Sequence, residues 1–173
     1  ICSKVLNDEY YIEFEDVKEE EIDDVPIKLK NGELVSAFES ITGMYSYPKY
    51  NEIDPTPLLT PFYLIFFGMM VADVGYGLLV LIASIIALKF LKLNNSMRDF
   101  MKFFFYLSFP TIFFGLVYGS FFGDAITMPF KLIDTNKDVM TIVVLSLVLG
   151  VIQIFFGLFI KAYSLIRIGK SKD

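Results

Sequence analysis

The chain has 173 residues, 55% hydrophobic and 20% charged, with a formal net charge of −5. The acidity is concentrated at one end: residues 1–57 carry 14 Asp and Glu against 5 Lys, whereas residues 58–173 carry 6 against 10 Lys and Arg. An acidic first part excludes a nucleic-acid surface, which needs positive charge. No His and a single cysteine, Cys2, exclude an intramolecular disulfide and a Cys/His metal cluster. The chain opens on Ile1, with no basic stretch leading into an early apolar core. It therefore reads as a segment of a longer protein and not as a secretory signal.

Residues 1–24 read as the end of a water-soluble domain. EYYIEFEDV (9–17) alternates as a half-buried strand does, with Tyr10, Ile12 and Phe14 on one side. KEEEIDD (18–24) reads as a solvated acidic linker. Residues 25–57 form a connector. Pro26 keeps its start extended, and Asn31-Gly32 signals a turn. Residues 33–45 fit a short helix with Leu34, Phe38 and Ile41 on one face, suited to lying along the membrane interface. Tyr45, Tyr47 and Tyr50 suit an interfacial aromatic belt.

Three apolar runs follow, at 58–88, 103–123 and 139–160. The second and third match one bilayer crossing each. The first holds 31 residues and as one straight helix would be about 46 Å long, against a hydrocarbon core of about 30 Å. Lys and Arg flank the runs at Lys89, Lys92, Arg98 and Lys102 and again at Lys161, Arg167, Lys170 and Lys172. The positive-inside rule puts both of these edges in the cytoplasm. Length then favours a pair of membrane helices over 58–91, broken near Gly75-Tyr76-Gly77, with both ends cytoplasmic. A single long tilted helix with the N-terminal part outside is the alternative. The basic tail 161–173 is expected in the cytoplasm.

Asp73 is the one charge within the first run. A carboxylate at that depth costs about 2.5–3.5 kcal/mol on insertion scales. It must be protonated, paired, facing water, or capping the second half of a broken helix; the cap is the favoured reading. Gly115, Gly119 and Gly123 recur at spacing four and read as a stripe along which helix backbones pack closely. Pro110 is expected to kink that helix. Gln153 is the one polar residue deep in the third run and reads as an interhelical hydrogen bond. Asp124 reads as a solvated boundary charge. The sequence shows no phosphate loop and, lacking His, no histidine-based triad; no cofactor is implied.

The string EIDPTPLLTPFYLIFFGMMVADVGYGLL (52–79) resembles the start of the membrane domain in the stator subunit of V-type ATPases, called subunit a, or subunit I in bacteria and archaea. The matching elements are Asp54, Pro55, Thr56 and Pro57, then Pro61-Phe62, then the FFGMM string containing Gly68, then Asp73 with Gly75, Tyr76 and Gly77. VPIKLKNGELVSAFESITGMYSYPKY (25–50) and YGSFFGD (118–124, ending on Asp124) are similar to further family elements. The resemblance implies an all-α membrane protein: a helical hairpin plus two transmembrane helices, preceded by a short, partly extended cytoplasmic segment. It also implies a multi-pass place in the cell membrane, beside a rotating proteolipid ring and peripheral stalk subunits, in a machine that moves protons or sodium ions. The family's essential arginine lies on a later helix. Arg98 and Arg167 sit at the edges of the runs here, so the resemblance assigns no catalytic role to this chain. The competing reading is part of a secondary transporter, in which a broken helix and a midplane carboxylate bind substrate or cation.

Overall fold

A computed structural model describes residues 27–49, 52–123, 125–126, 132–133 and 137–168. The strand expected at 9–17, the acidic linker 18–24, Tyr50 and Asp124 lie outside the described residues, as does the end of the tail. Within the described residues the regular structure is entirely helical: α1 Glu33–Ser36, α2 Glu39–Tyr45, α3 Thr56–Val71, α4 Val74–Phe90, α5 Asn95–Tyr118 and α6 Val139–Ile168. Two helices, α5 and α6, are long and apolar enough to cross a membrane, while α3 and α4 are shorter apolar helices. The chain is a helical membrane protein.

The long apolar run is two helices, and they part earlier than Gly75-Tyr76-Gly77. Helix α3 ends at Val71. Ala72 takes a left-handed conformation at φ 31°, its N–H bonded to the Gly68 carbonyl, and Asp73 is extended as the N-cap of α4. The Gly-Tyr-Gly string is the first turn of α4, not a flexible break. The expectation misplaced the break because glycine is the usual left-handed residue and here an alanine takes that conformation. At the other end of α3, Pro57 sits in the first turn, where a missing N–H loses no helical bond.

Helix α5 also departs from its apolar run. It starts at Asn95, well before residue 103, because Arg98, Asp99 and Lys102 are compatible with helix though not with lipid; Lys102 and Asp99 approach to 3.9 Å. It stops at Tyr118, where Gly119 turns left-handed at φ 67°. Gly119 is thus a C-cap and Gly123, at φ 63°, lies in the loop beyond. The expected three-glycine stripe is one packing glycine, Gly115, followed by two turn glycines.

The core lies between the connector, α3 and α5. The connector helix expected over 33–45 is divided at Ala37-Phe38, which lets Phe38 drive inward to complete burial with Ala37, Phe103 and Leu107. Its ring meets Tyr63 and Phe103 edge-on, with centroids 5.8 and 5.1 Å apart, the geometry aromatic pairs prefer. Ile41 packs against this core, while Leu34 is 40% exposed. Helix α6 stands apart, and none of its span is buried within the chain; its ring contact with α3 is Phe62 on Phe156, centroids 5.3 Å apart.

Candidate functional site: two carboxylate clamps on one hairpin

The motif residues gather at the two ends of the hairpin. At its mouth, Asp54 precedes α3. Its Oδ1 accepts from the Thr56 amide at 2.8 Å and from the Thr56 hydroxyl at 2.6 Å, and its Oδ2 accepts from Asn31 Nδ2 at 2.7 Å. The same Asn31 nitrogen donates its other hydrogen to Glu39 Oε1 at 2.9 Å. Thr56 is fully buried, and its hydroxyl lies 2.9 Å from that of Thr42. A hydroxyl has one proton, and an ionised carboxylate only accepts. Thr56 therefore gives its proton to Asp54, and Thr42 donates to Thr56. The Thr56 carbonyl in turn accepts from Thr60 Oγ1 at 2.7 Å. This chain of bonds fastens the connector to the first turn of α3.

At the tip, Asp73 is 3% exposed. Oδ1 accepts from the Tyr76 amide at 2.9 Å and the Phe122 amide at 3.1 Å. Oδ2 accepts from the Ser120 hydroxyl at 3.0 Å and the Gly123 amide at 2.8 Å. One bond is the N-terminal cap of α4; the other three come from the loop that follows α5. The Val74 amide returns a bond to the Ser120 carbonyl at 3.1 Å. Among the described residues no basic side chain takes part. The negative charge is met by amide dipoles and by the N-terminus of α4.

Close packing puts these donors in reach. A Cβ on Gly115 would lie 2.5 Å from the Val74 nitrogen and 2.6 Å from the Asp73 carbonyl carbon, so the hairpin tip rests directly on the backbone of α5. On the opposite wall Gly68 lies against Pro110, where a Cβ would come within 2.7 Å of the proline ring. Gly77 and Gly75 face Ile112 and the Phe122 ring in the same way. Tyr76 is half exposed, with its ring edge-on to Phe122.

Chemically, each Asp73 oxygen already holds two donors, so the group is built as an anchor and not as an open ligand. Among the described residues there is no group of three or more His, Cys, Asp or Glu able to hold a metal ion. Gln153 makes no hydrogen bond among the described residues and lines a cleft beside α3. Sequence reasoning missed Asn31, Thr42 and Ser120 as clamp members. Ser120 lies inside the YGSFFGD string, but nothing in that string names Asp73 as its partner.

No family model matches the chain. It is 40% identical over 159 residues to the A-type ATP synthase subunit I of Pyrococcus abyssi, covering 89% of this chain and 24% of that protein. It is 32% identical over 167 residues to the A-type ATP synthase subunit I of Methanothermobacter thermautotrophicus, covering 91% and 25%. It is 29% identical over 161 residues to the V-type ATP synthase subunit I of Borreliella burgdorferi, covering 87% and 26%. The chain thus spans about a quarter of the length of these relatives. None of these names supports a secondary transporter. With nine-tenths of its length aligned and its motif residues gathered at two clamps of one membrane hairpin, the chain belongs to the subunit I family of A-type and V-type ATP synthases.

Proposed function

We propose that this chain is the proximal scaffold of the membrane-embedded stator in a rotary ATP synthase or ATPase. It joins a cytoplasmic, stalk-bearing region to the helices past which a proteolipid ring carries protons or sodium ions. In this reading the chain is non-catalytic: it neither hydrolyses ATP nor conducts ions by itself. Its partners are the proteolipid ring, the peripheral stalk subunits and the bilayer, with no nucleic acid. The segment before the hairpin and the basic tail both face the cytoplasm. Two facts support that orientation: the lysines and arginines flanking the spans, and the cleft that Pro55 and Lys161 line together, which brings the start of α3 beside the end of the apolar part of α6.

The observation that carries the scaffold reading is the full occupation of Asp73 by four donors from two segments. A group that bound and released ions would need a free lone pair, whereas a tie needs none. The test is Asp73→Asn in the intact complex. A scaffold loses assembled complex several-fold, while ions pumped per ATP hydrolysed stay unchanged in the complexes that survive. Normal assembly with pumping abolished would overturn the reading and make Asp73 part of the ion path.

A further inference from the structure

We propose that the cleft between α3 and α6 is a binding site for a phospholipid of the surrounding bilayer, with one hydrocarbon chain in its apolar depth and the phosphate at Lys161 and Ser164. This rests on the membrane reading of the helices and not on ion translocation.

The cleft has two contiguous parts that share Pro55, Gly157 and Ile160. The deeper part, about 250 Å³, is walled by Leu58, Leu59 and Phe62 on α3 and by Phe156 on α6. The outer part, about 330 Å³, is polar at its mouth, where Ser46, Tyr47, Glu52, Lys161 and Ser164 lie. Glu52 turns back on its own loop, accepting from the Lys49 amide at 2.9 Å. Lys161 has no hydrogen bond or ion pair among the described residues. It is the first charge after the uncharged stretch 139–160, which puts it at the boundary between hydrocarbon and water. From Gln153 to Lys161 the cleft follows α6 for about 12 Å.

This gradient matches an amphiphile. A lysine at the interface keeps its stem along apolar surface and its ammonium at headgroup level, where it binds phosphate as a point charge. Basic pockets between transmembrane helices are a recurrent form of headgroup recognition. A protein helix is the wrong occupant for the deep part. It is about 10 Å wide or more with its side chains, and Phe62 meets Phe156 across one rim of the cleft. A single hydrocarbon chain is thin enough to enter.

Gly157 makes the site testable. A Cβ at Gly157 meets no atom within 4 Å, and the same holds at Gly150, which does not line the cleft. Leucine at 157 therefore fills the cleft without striking the fold, and leucine at 150 is its matched control. The intact complex is placed in phosphatidylglycerol nanodiscs containing a trace of phosphatidylglycerol with a diazirine on one acyl chain, then irradiated and mapped by peptide mass spectrometry. Crosslinks are expected on Leu58, Leu59, Phe62 and Phe156. Gly157→Leu lowers their yield about tenfold, while Gly150→Leu leaves it unchanged. Lys161→Gln lowers capture of this probe but not of a diazirine fatty alcohol that lacks phosphate. Crosslinking indifferent to Gly157→Leu overturns the proposal. So does capture of the phospholipid indifferent to Lys161→Gln, or cleft residues found covered by another subunit of the complex.

Discussion

The hairpin carries an aspartate clamp at each end, and the two are built differently. At the mouth, Asp54 draws two of its three bonds from side chains, Asn31 and Thr56, and sits partly buried where water is near. At the tip, Asp73 draws three of four from backbone amides, two of them in a loop 49 and 50 residues further along the chain. The difference follows from the surroundings. Near water, a broken side-chain bond is replaced by solvent at little cost. At membrane depth, an unpaired amide costs several kcal/mol, and a backbone donor survives every substitution except one to proline. The mouth is an adjustable fastening, and the tip is a fixed one.

That contrast is open to attack in order of expected effect. Asp73→Ala leaves three partly buried amides without an acceptor, each worth about 1 kcal/mol or more, and is expected to destabilise the full-length subunit by about 3 kcal/mol or more. Asp73→Asn keeps one acceptor oxygen and should fall roughly midway. Thermal unfolding of the purified subunit in detergent measures both, and a small loss for the alanine variant would remove the fixed clamp. Next comes Gly115→Ala, which pushes a methyl into the Asp73-Val74 backbone and should cost about 2–3 kcal/mol. Gly119→Ala strains a left-handed cap, at about 1–2 kcal/mol. The reverse order would show that the two glycines act as one packing stripe after all.

At the mouth, Asp54→Ala should cost about 1–2 kcal/mol. A double-mutant cycle with Asn31→Ala should show coupling of about 0.5 kcal/mol or more. Independence of the two would sever the connector from α3. The smallest effect is expected at Tyr118, 4% exposed with a hydroxyl that has no partner among the described residues. Tyr118→Phe relieves that buried group and should leave stability unchanged or raise it by about 1 kcal/mol. A clear loss would mean that the hydroxyl is bonded.

Much of this was legible in the sequence. Hydropathy located the membrane helices, because transfer energy depends on composition over about twenty residues. It did not locate helix ends, because the polar start of α5 is helix without being lipid-compatible. The demand that Asp73 find partners followed from the energy of a carboxylate in lipid, and its role as N-cap followed from its place before a helix. The loop amides that complete its shell were not legible. Phe122 and Gly123 contribute main chain, and any residue but proline supplies an N–H. The left-handed Ala72 was equally hidden, since that conformation is imposed by the Asp73 clamp and the Gly68 carbonyl against the residue's own preference. Spacing of four among glycines likewise does not distinguish a helix that continues from one that has just ended.

The distance between Asp73 and its loop donors also sets an order of events during synthesis. As the hairpin emerges from the ribosome, Tyr76 emerges with it, but Ser120, Phe122 and Gly123 have yet to follow. Until α5 follows, the carboxylate has one of its four bonds, and lipid is then a poor medium for it. The hairpin is therefore expected to become stable in lipid only once the third helix has joined it. The smallest stretch that completes the clamp is not a helix or a pair but the whole run from Thr56 to Gly123.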